Sequence, residues 1–164
     1  MASLIYGCLD PSPKTKEYPV AASQYFYHEG FNACYLDSSG HVTGALTATA
    51  TLFGYAVVPK GRGAGTSDDY WLSSATAGAD KIPVISAMDG YSFLAPGIIT
   101  VTAAMTGGAW DIVAVNDGAA TYVDFDTSST DVVICVDLGV NVKAGAPITS
   151  GVVKFNPAKI QADT

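Results

Sequence analysis

Apolar residues along the chain recur in short runs, split by Gly, Pro, Asn and Asp about every ten residues. The clearest stretch is Trp110–Leu138, WDIVAVNDGAATYVDFDTSSTDVVICVDL, which predicts three strands. Trp110–Val115 is β-branched and apolar, and Asn116-Asp117-Gly118 supplies a turn, because Asp-Gly tolerates the positive φ of a tight hairpin. Ala120–Asp126 alternates, with Tyr122, Asp124 and Asp126 on one face and Val123 and Phe125 on the other. Thr127–Thr130 is a polar turn, and Val132–Val136 is apolar on both faces between Asp131 and Asp137. A strand of that kind is covered twice, by a second sheet, a barrel interior or another subunit.

Further strands are expected at Gln24–Tyr27, Ala33–Asp37, Thr51–Val58, Lys81–Ala87, Tyr91–Ala95, Ile98–Ala103 and Ile148–Phe155, with Val42–Ala50 strand or loop. Gly54 marks a bulge, and Pro83 an edge position or a bulge. Asp89-Gly90 is a second hairpin signal, Pro96-Gly97 a turn, and Gly139–Gly145 a loop. No stretch carries a capped apolar period of 3.6 residues, so the pattern predicts an all-β sandwich or barrel, jelly-roll-like. Residues 1–24 are expected to form an extended arm, because Pro11, Pro13 and Pro19 exclude a helix or a central strand. Residues 25–155 form the single β-domain and residues 156–164 a polar tail.

Composition narrows the function. The chain has 164 residues, one domain's length, and only 14% are charged, against the roughly 25% usual for soluble domains. Mean hydropathy is positive, yet no apolar run reaches the roughly 20 residues of a membrane span. Some surface is therefore expected to be covered in the working state, by oligomerisation or by docking on a large partner. Net charge is −7 with eight Lys and Arg, scattered as pairs such as Lys14/Lys16 and Lys60/Arg62, which excludes a basic nucleic-acid face. Cys8, Cys34 and Cys135 cannot all pair within one chain, and MASLIYGCLD lacks a signal-peptide pattern. Both favour assembly in a reducing cytoplasm, with Cys135 a small core residue.

The chemistry-bearing residues are sparse. His28 and His41 lie beside turns near Cys34 and read as surface-turn histidines rather than metal ligands. Asp124, Asp126 and Asp131 flank one turn as Ca²⁺ candidates, with solvated carboxylates the plainer reading. Gly61-Arg62-Gly63-Ala64-Gly65-Thr66 lacks the Gly-Lys-Ser/Thr ending of a phosphate loop, and Lys60–Asp69 reads as a mobile surface loop. No nucleophile elbow accompanies the histidines, so a hydrolase using His28 or His41 has no motif behind it, and neither a cofactor nor a metal is expected. Binding equipment is richer. Leu4, Ile5, Tyr6, Pro11, Pro13, Tyr18, Tyr25 and Tyr27 are the candidate contact residues, because tyrosine gives large contact area at little entropic cost. Arg62, Tyr70 and Trp71 form a candidate exposed loop. Tyr70-Trp71 and Trp110 supply an alternative, a carbohydrate-binding or host-surface adhesion module whose aromatic rings stack on sugars.

At Tyr18-Pro19-Val20-Ala21-Ala22-Ser23-Gln24-Tyr25-Phe26-Tyr27, Gly30, Tyr35-Leu36-Asp37-Ser38-Ser39-Gly40 and Leu52-Phe53-Gly54-Tyr55-Ala56, the chain resembles capsid cement (decoration) proteins of tailed bacteriophages. The resemblance covers about the first third of the chain in wording. It implies a small acidic, non-enzymatic β-protein on the exterior of the virion. Such a protein is assembled in the host cytoplasm, often as a homotrimer, and braces neighbouring subunits of the major capsid protein without touching nucleic acid or membrane.

Overall fold

The computed structural model describes residues 7–28, 30–45, 49–59, 70–115, 120–139 and 148–161. These contain thirteen strands: β1 (Gly7–Cys8), β2 (Lys16–Pro19), β3 (Tyr25–Tyr27), β4 (Ala33–Leu36), β5 (Val42–Gly44), β6 (Gly54–Ala56), β7 (Tyr70–Leu72), β8 (Lys81–Ser86), β9 (Phe93–Pro96), β10 (Ala109–Val115), β11 (Ala120–Asp124), β12 (Val133–Leu138) and β13 (Ser150–Phe155). They form a six-stranded sheet, β1-β9-β13-β12-β10-β11, a five-stranded sheet, β2-β8-β6-β4-β5, and the β3-β7 pair. Every ladder is antiparallel. The fold is all-β, with sheets packed as a sandwich.

Both larger sheets curl. A parallel bridge between Val20 and Val42 joins the two edges of the five-stranded sheet, and a parallel bridge between Gly97 and Val123 returns β11 to the end of β9. Bending a sheet until its sides meet removes edge groups that would otherwise pair with other chains.

Two cores result, and the five-stranded sheet separates them. One of its faces gives Ala33, Tyr55 and Ile85 to a core shared with Phe93, Ile112, Val133, Val153 and Phe155 of the six-stranded sheet. The opposite face gives Cys34, Leu36, Ala56, Ile82 and Val84 to a second core, closed by Phe26 and Trp71 of β3 and β7. β6 is buried at all three positions for this reason. The doubly covered strand expected at Val132–Val136 is therefore β6. In β12, Val133 and Cys135 are buried, but the register shifts between Cys135 and Asp137, and Val136 is 38% exposed. A bulge of that kind re-aims the side chains beyond it.

The three strands of Trp110–Leu138 are present, with β10 paired to both β11 and β12. The Asn116-Asp117-Gly118 turn and the Lys60–Asp69 loop lie outside the described residues. Other expectations are corrected. Asp89-Gly90 is no hairpin, because β8 and β9 belong to different sheets; Ala87–Asp89 forms a 3-10 turn, and Gly90 at φ 72° carries the crossover. Ile98–Ala103 is not a strand. It bends into the 3-10 turn Ala103–Met105, tied by the Val101 N–H to the Ile148 carbonyl at 2.7 Å. Pro96 ends a strand rather than opening a turn, pairing with Ser150.

Pro83 lies in an inner strand. Its carbonyl accepts from Val57 N–H, so its own nitrogen faces just past the end of β6, where no ladder donor is needed. Gly54 is not at a bulge; its site is a close approach, where a Cβ would lie 2.8 Å from Val84 Cγ1. From Gly7 onward the amino-terminal segment is stitched into both sheets. β1 pairs with β9, and β2, an edge strand as its proline requires, pairs with β8. Nor do residues 156–161 hang free: Leu52 bridges to Ile160.

Candidate functional site

The register of β3 on β7 builds the candidate site. Tyr25 faces Leu72, Phe26 faces Trp71 and Tyr27 faces Tyr70. Successive side chains of a strand point to opposite faces. Phe26 and Trp71 accordingly point inward, 2% and 1% exposed, with ring centroids 6.2 Å apart. Tyr25, Tyr27 and Tyr70 point outward together. The Tyr25–Tyr70 centroids are 5.2 Å apart, Tyr27–Tyr70 5.4 Å and Tyr25–Tyr27 6.5 Å. Tyr25 is half exposed, at 49%. Separations in this range are those of favourable aromatic pairs, so the three rings brace one another as a preformed surface.

The hairpin is pinned where it leaves the patch. Ser73 N–H donates to the Gln24 carbonyl at 2.9 Å, and the Ser73 hydroxyl accepts from Gln24 N–H and donates to the Ala21 carbonyl, both at 2.8 Å. Gln24 Oε1 accepts from Gly44 N–H at 3.0 Å, tying β3 to β5. Asn32 Nδ2 donates to the Tyr27 carbonyl at 2.8 Å. Beside the patch, a depression of about 250 Å³ runs between β3 and the β4–β5 hairpin, with Tyr35 and Thr43 on its far side. Its amides at Gln24 and Asn32 are turned to backbone, which leaves shape and aromatic surface as its main offering.

The predicted site residues divide. Tyr25, Tyr27 and Tyr70, placed in two different groups by sequence, meet in one cluster. Trp71 is a correction: cross-strand alternation buries it, and its Nε1 has no partner among the described residues, so it is neither an exposed loop residue nor a ring that stacks on sugar. Trp110, half-buried, donates from Nε1 to the Met105 carbonyl at 3.0 Å. Tyr18 packs edge-on against Phe53, with centroids 5.1 Å apart, and anchors the arm to its own domain. Pro11 is exposed and Pro13 half-exposed on the connection from β1 to β2. Leu4, Ile5, Tyr6 and Arg62 lie outside the described residues. The signal that identifies the cluster in sequence is the pair of YFY and YWL triplets, whose central residues are apolar and whose flanks carry tyrosines.

Several other polar groups are turned to structure. His41 Nδ1 lies 3.9 Å from Asp37 Oδ2, and Asp37 Oδ1 accepts from the N–H groups of Ser39 and His41, holding the β4–β5 turn. Asp124 and Asp131 take turn hydrogen bonds from Asp126 N–H and the Ser128 hydroxyl. All three thiols are free, and burial pushes each above its ordinary value, Cys34 up to about 12. That is the opposite of what a nucleophilic thiolate requires. Burial likewise pushes the Tyr55 hydroxyl up to about 12.

Against protein-family models, curated proteins and solved structures, the chain has no match.

Proposed function

We propose that the chain is a non-enzymatic capsid cement protein, which binds the outside of an icosahedral phage head and braces neighbouring subunits of the major capsid protein. The observation that carries this reading is the outward cluster of Tyr25, Tyr27 and Tyr70, held rigid by the buried Phe26–Trp71 pair beneath it. Rigid aromatic groups with few torsions are the usual anchors of protein interfaces. The low content of charge and the resemblance at Tyr18–Tyr27 support the same reading. Repeated over a shell, many weak contacts sum to a large stabilisation, so a homotrimer touching several subunits needs no single strong site.

The test is decoration of empty heads assembled without the chain. A Tyr25→Ser/Tyr70→Ser variant keeps Phe26 and Trp71 and should fold, yet its occupancy, counted by quantitative gel of sedimented heads, should drop at least tenfold. Wild-type occupancy by the variant overturns the tyrosine surface as the docking site. Failure of the wild-type chain to bind heads, together with a tyrosine-dependent signal on a glycan array, would replace the reading by host-surface adhesion.

A further inference from the structure

A second surface lies on another side of the domain. Lys14, Lys16, Tyr18, Phe53, Val84 and Asp89 line a cleft of about 240 Å³, at the edge of the sheet where β2 pairs with β8. Its floor is apolar: Tyr18 and Phe53 in edge-on contact, with Val84 from the second core. Two of the five lysines among the described residues stand on its rim. Neither forms an ion pair among the described residues, although Asp89 lines the same cleft; Lys16 Nζ lies 5.2 Å from the centre of the Tyr18 ring. In a chain of net charge −7, two ammonium groups without a carboxylate partner over an aromatic floor are a local reversal of charge.

The rim is also apolar and well anchored. Met88, between the lining residues Ser86 and Asp89, is 74% exposed. The backbone at this rim is fixed: Met88 N–H donates to Ser86 Oγ at 3.2 Å, and Lys14 N–H to Tyr91 Oη at 3.1 Å. An exposed thioether beside a cleft suits a binding surface.

We infer that this cleft docks an extended segment of a partner protein in which carboxylates flank an apolar side chain. The apolar side chain would fill the space over Tyr18, Phe53 and Val84, and the carboxylates would pair with Lys14 and Lys16. Lys14 and Lys16 would repel a segment with lysines in those places, giving the cleft its sign, and Asp89 would repel a carboxylate set beside it, confining the acidic groups to the lysine side. The inference extends the docking reading above to a second contact, but the surface is separate from the tyrosine cluster and is tested without heads.

The probe is an acetylated, amidated pentapeptide, Glu-Leu-Asp-Phe-Glu, titrated into the ¹⁵N-labelled full chain, with Lys-Leu-Lys-Phe-Lys as its counterpart. Amide shifts should be confined to residues around Lys14–Tyr18, Phe53 and Ser86–Asp89, and should weaken as salt screens the exposed part of the attraction. Lys14→Gln/Lys16→Gln should bind the acidic peptide roughly tenfold more weakly. Lys14→Glu/Lys16→Glu should prefer the lysine peptide at the same resonances. Lys154→Gln/Lys159→Gln and Tyr25→Ser/Tyr70→Ser should bind like wild type. Absence of shifts, shifts elsewhere, or equal binding by the charge-reversed variant overturns the inference and leaves the tyrosine surface untouched.

Discussion

The side chain of Gln161 occupies both backbone groups of Leu36: its Nε2 donates to the Leu36 carbonyl at 2.9 Å, and its Oε1 accepts from the Leu36 N–H at 2.8 Å. A side-chain amide here stands in for one residue of a strand. It extends the edge of β4 where the backbone of Phe53 has already turned to the Cys34 carbonyl. Gln161 N–H in turn donates to the Leu52 carbonyl at 2.8 Å, and Leu52 N–H to the Lys159 carbonyl at 2.9 Å.

Gln161→Glu should therefore destabilise more than an exposed substitution does. It keeps an acceptor for Leu36 N–H but sets a carboxylate against the Leu36 carbonyl. With Leu36 only 8% exposed, the loss should be about 1–3 kcal/mol, the cost of a buried group left unpaired. Urea unfolding of the two proteins measures it, and a difference under about 0.5 kcal/mol, the scatter of neutral surface substitutions, would contradict this account of the contact.

Asp111 makes the fold sensitive to acid. Its Oδ1 accepts from the N–H groups of Ser129, Thr130 and Asp131 at 2.9, 2.8 and 2.9 Å, and the residue is 5% exposed. Burial pushes its carboxyl up, but those three backbone donors outweigh burial and hold it below the ordinary aspartate value. A depressed folded-state value means stability that is complete above the unfolded value, about 3.9, and is lost as pH falls through the folded one. Asp111→Asn keeps one acceptor for the same donors and removes the charge. It should cost about 1–2 kcal/mol at pH 7 and flatten the fall in stability below about pH 4. Thermal melts from pH 7 to pH 2 compare the slopes, and parallel curves would mean that another carboxylate carries the acid sensitivity.

How much of this was legible in the sequence follows from range. Local signals held: alternation along Ala120–Asp124, the polar turn after it, and the exclusion of Pro19 from any central strand. What failed depended on partners far along the chain. Asp89-Gly90 has the residues of a hairpin, but nothing local says that the next strand joins the other sheet. Trp71 and Tyr70 are adjacent and aromatic, and only their register against Phe26 and Tyr27 sends one inward and one outward. The tyrosines of the candidate surface were visible singly, whereas their union needed the β3–β7 pairing across more than forty residues. The lysine cleft was legible only as an isolated pair, because Phe53 and Val84 reach it from segments far along the chain.

Gly54 and Gly40 should respond differently to alanine. At Gly54 a Cβ would press on the Ile85 carbonyl and on Val84, both in a strand buried on its two faces, so Gly54→Ala should cost about 3 kcal/mol, the upper end of overpacking. At Gly40 a Cβ meets open space, and only the positive φ resists it, at about 1–2 kcal/mol. Equal losses in denaturant unfolding would remove the close approach of β6 and β8 as the reason for Gly54.

Trp71 separates what the second core needs from what its indole nitrogen adds. Its ring fills the space under the tyrosine cluster, so Trp71→Ala should cost about 3–5 kcal/mol, as large aromatic deletions do. Its Nε1 is buried without a partner among the described residues, and an unpaired buried donor is itself unfavourable by about 1–3 kcal/mol. Trp71→Phe removes that donor while keeping a six-membered ring against Phe26. The void left by the smaller ring and the relief of the donor oppose each other, so the net loss should stay under about 2 kcal/mol. Because Tyr25, Tyr27 and Tyr70 sit on the other face, Trp71→Phe should decorate heads like wild type wherever it is folded. Calorimetric unfolding and the decoration assay read the two effects separately. A Phe variant as unstable as the Ala variant would mean that the indole nitrogen has a partner after all, and a stable Phe variant that fails to decorate would mean that the outer rings depend on the indole for their positions.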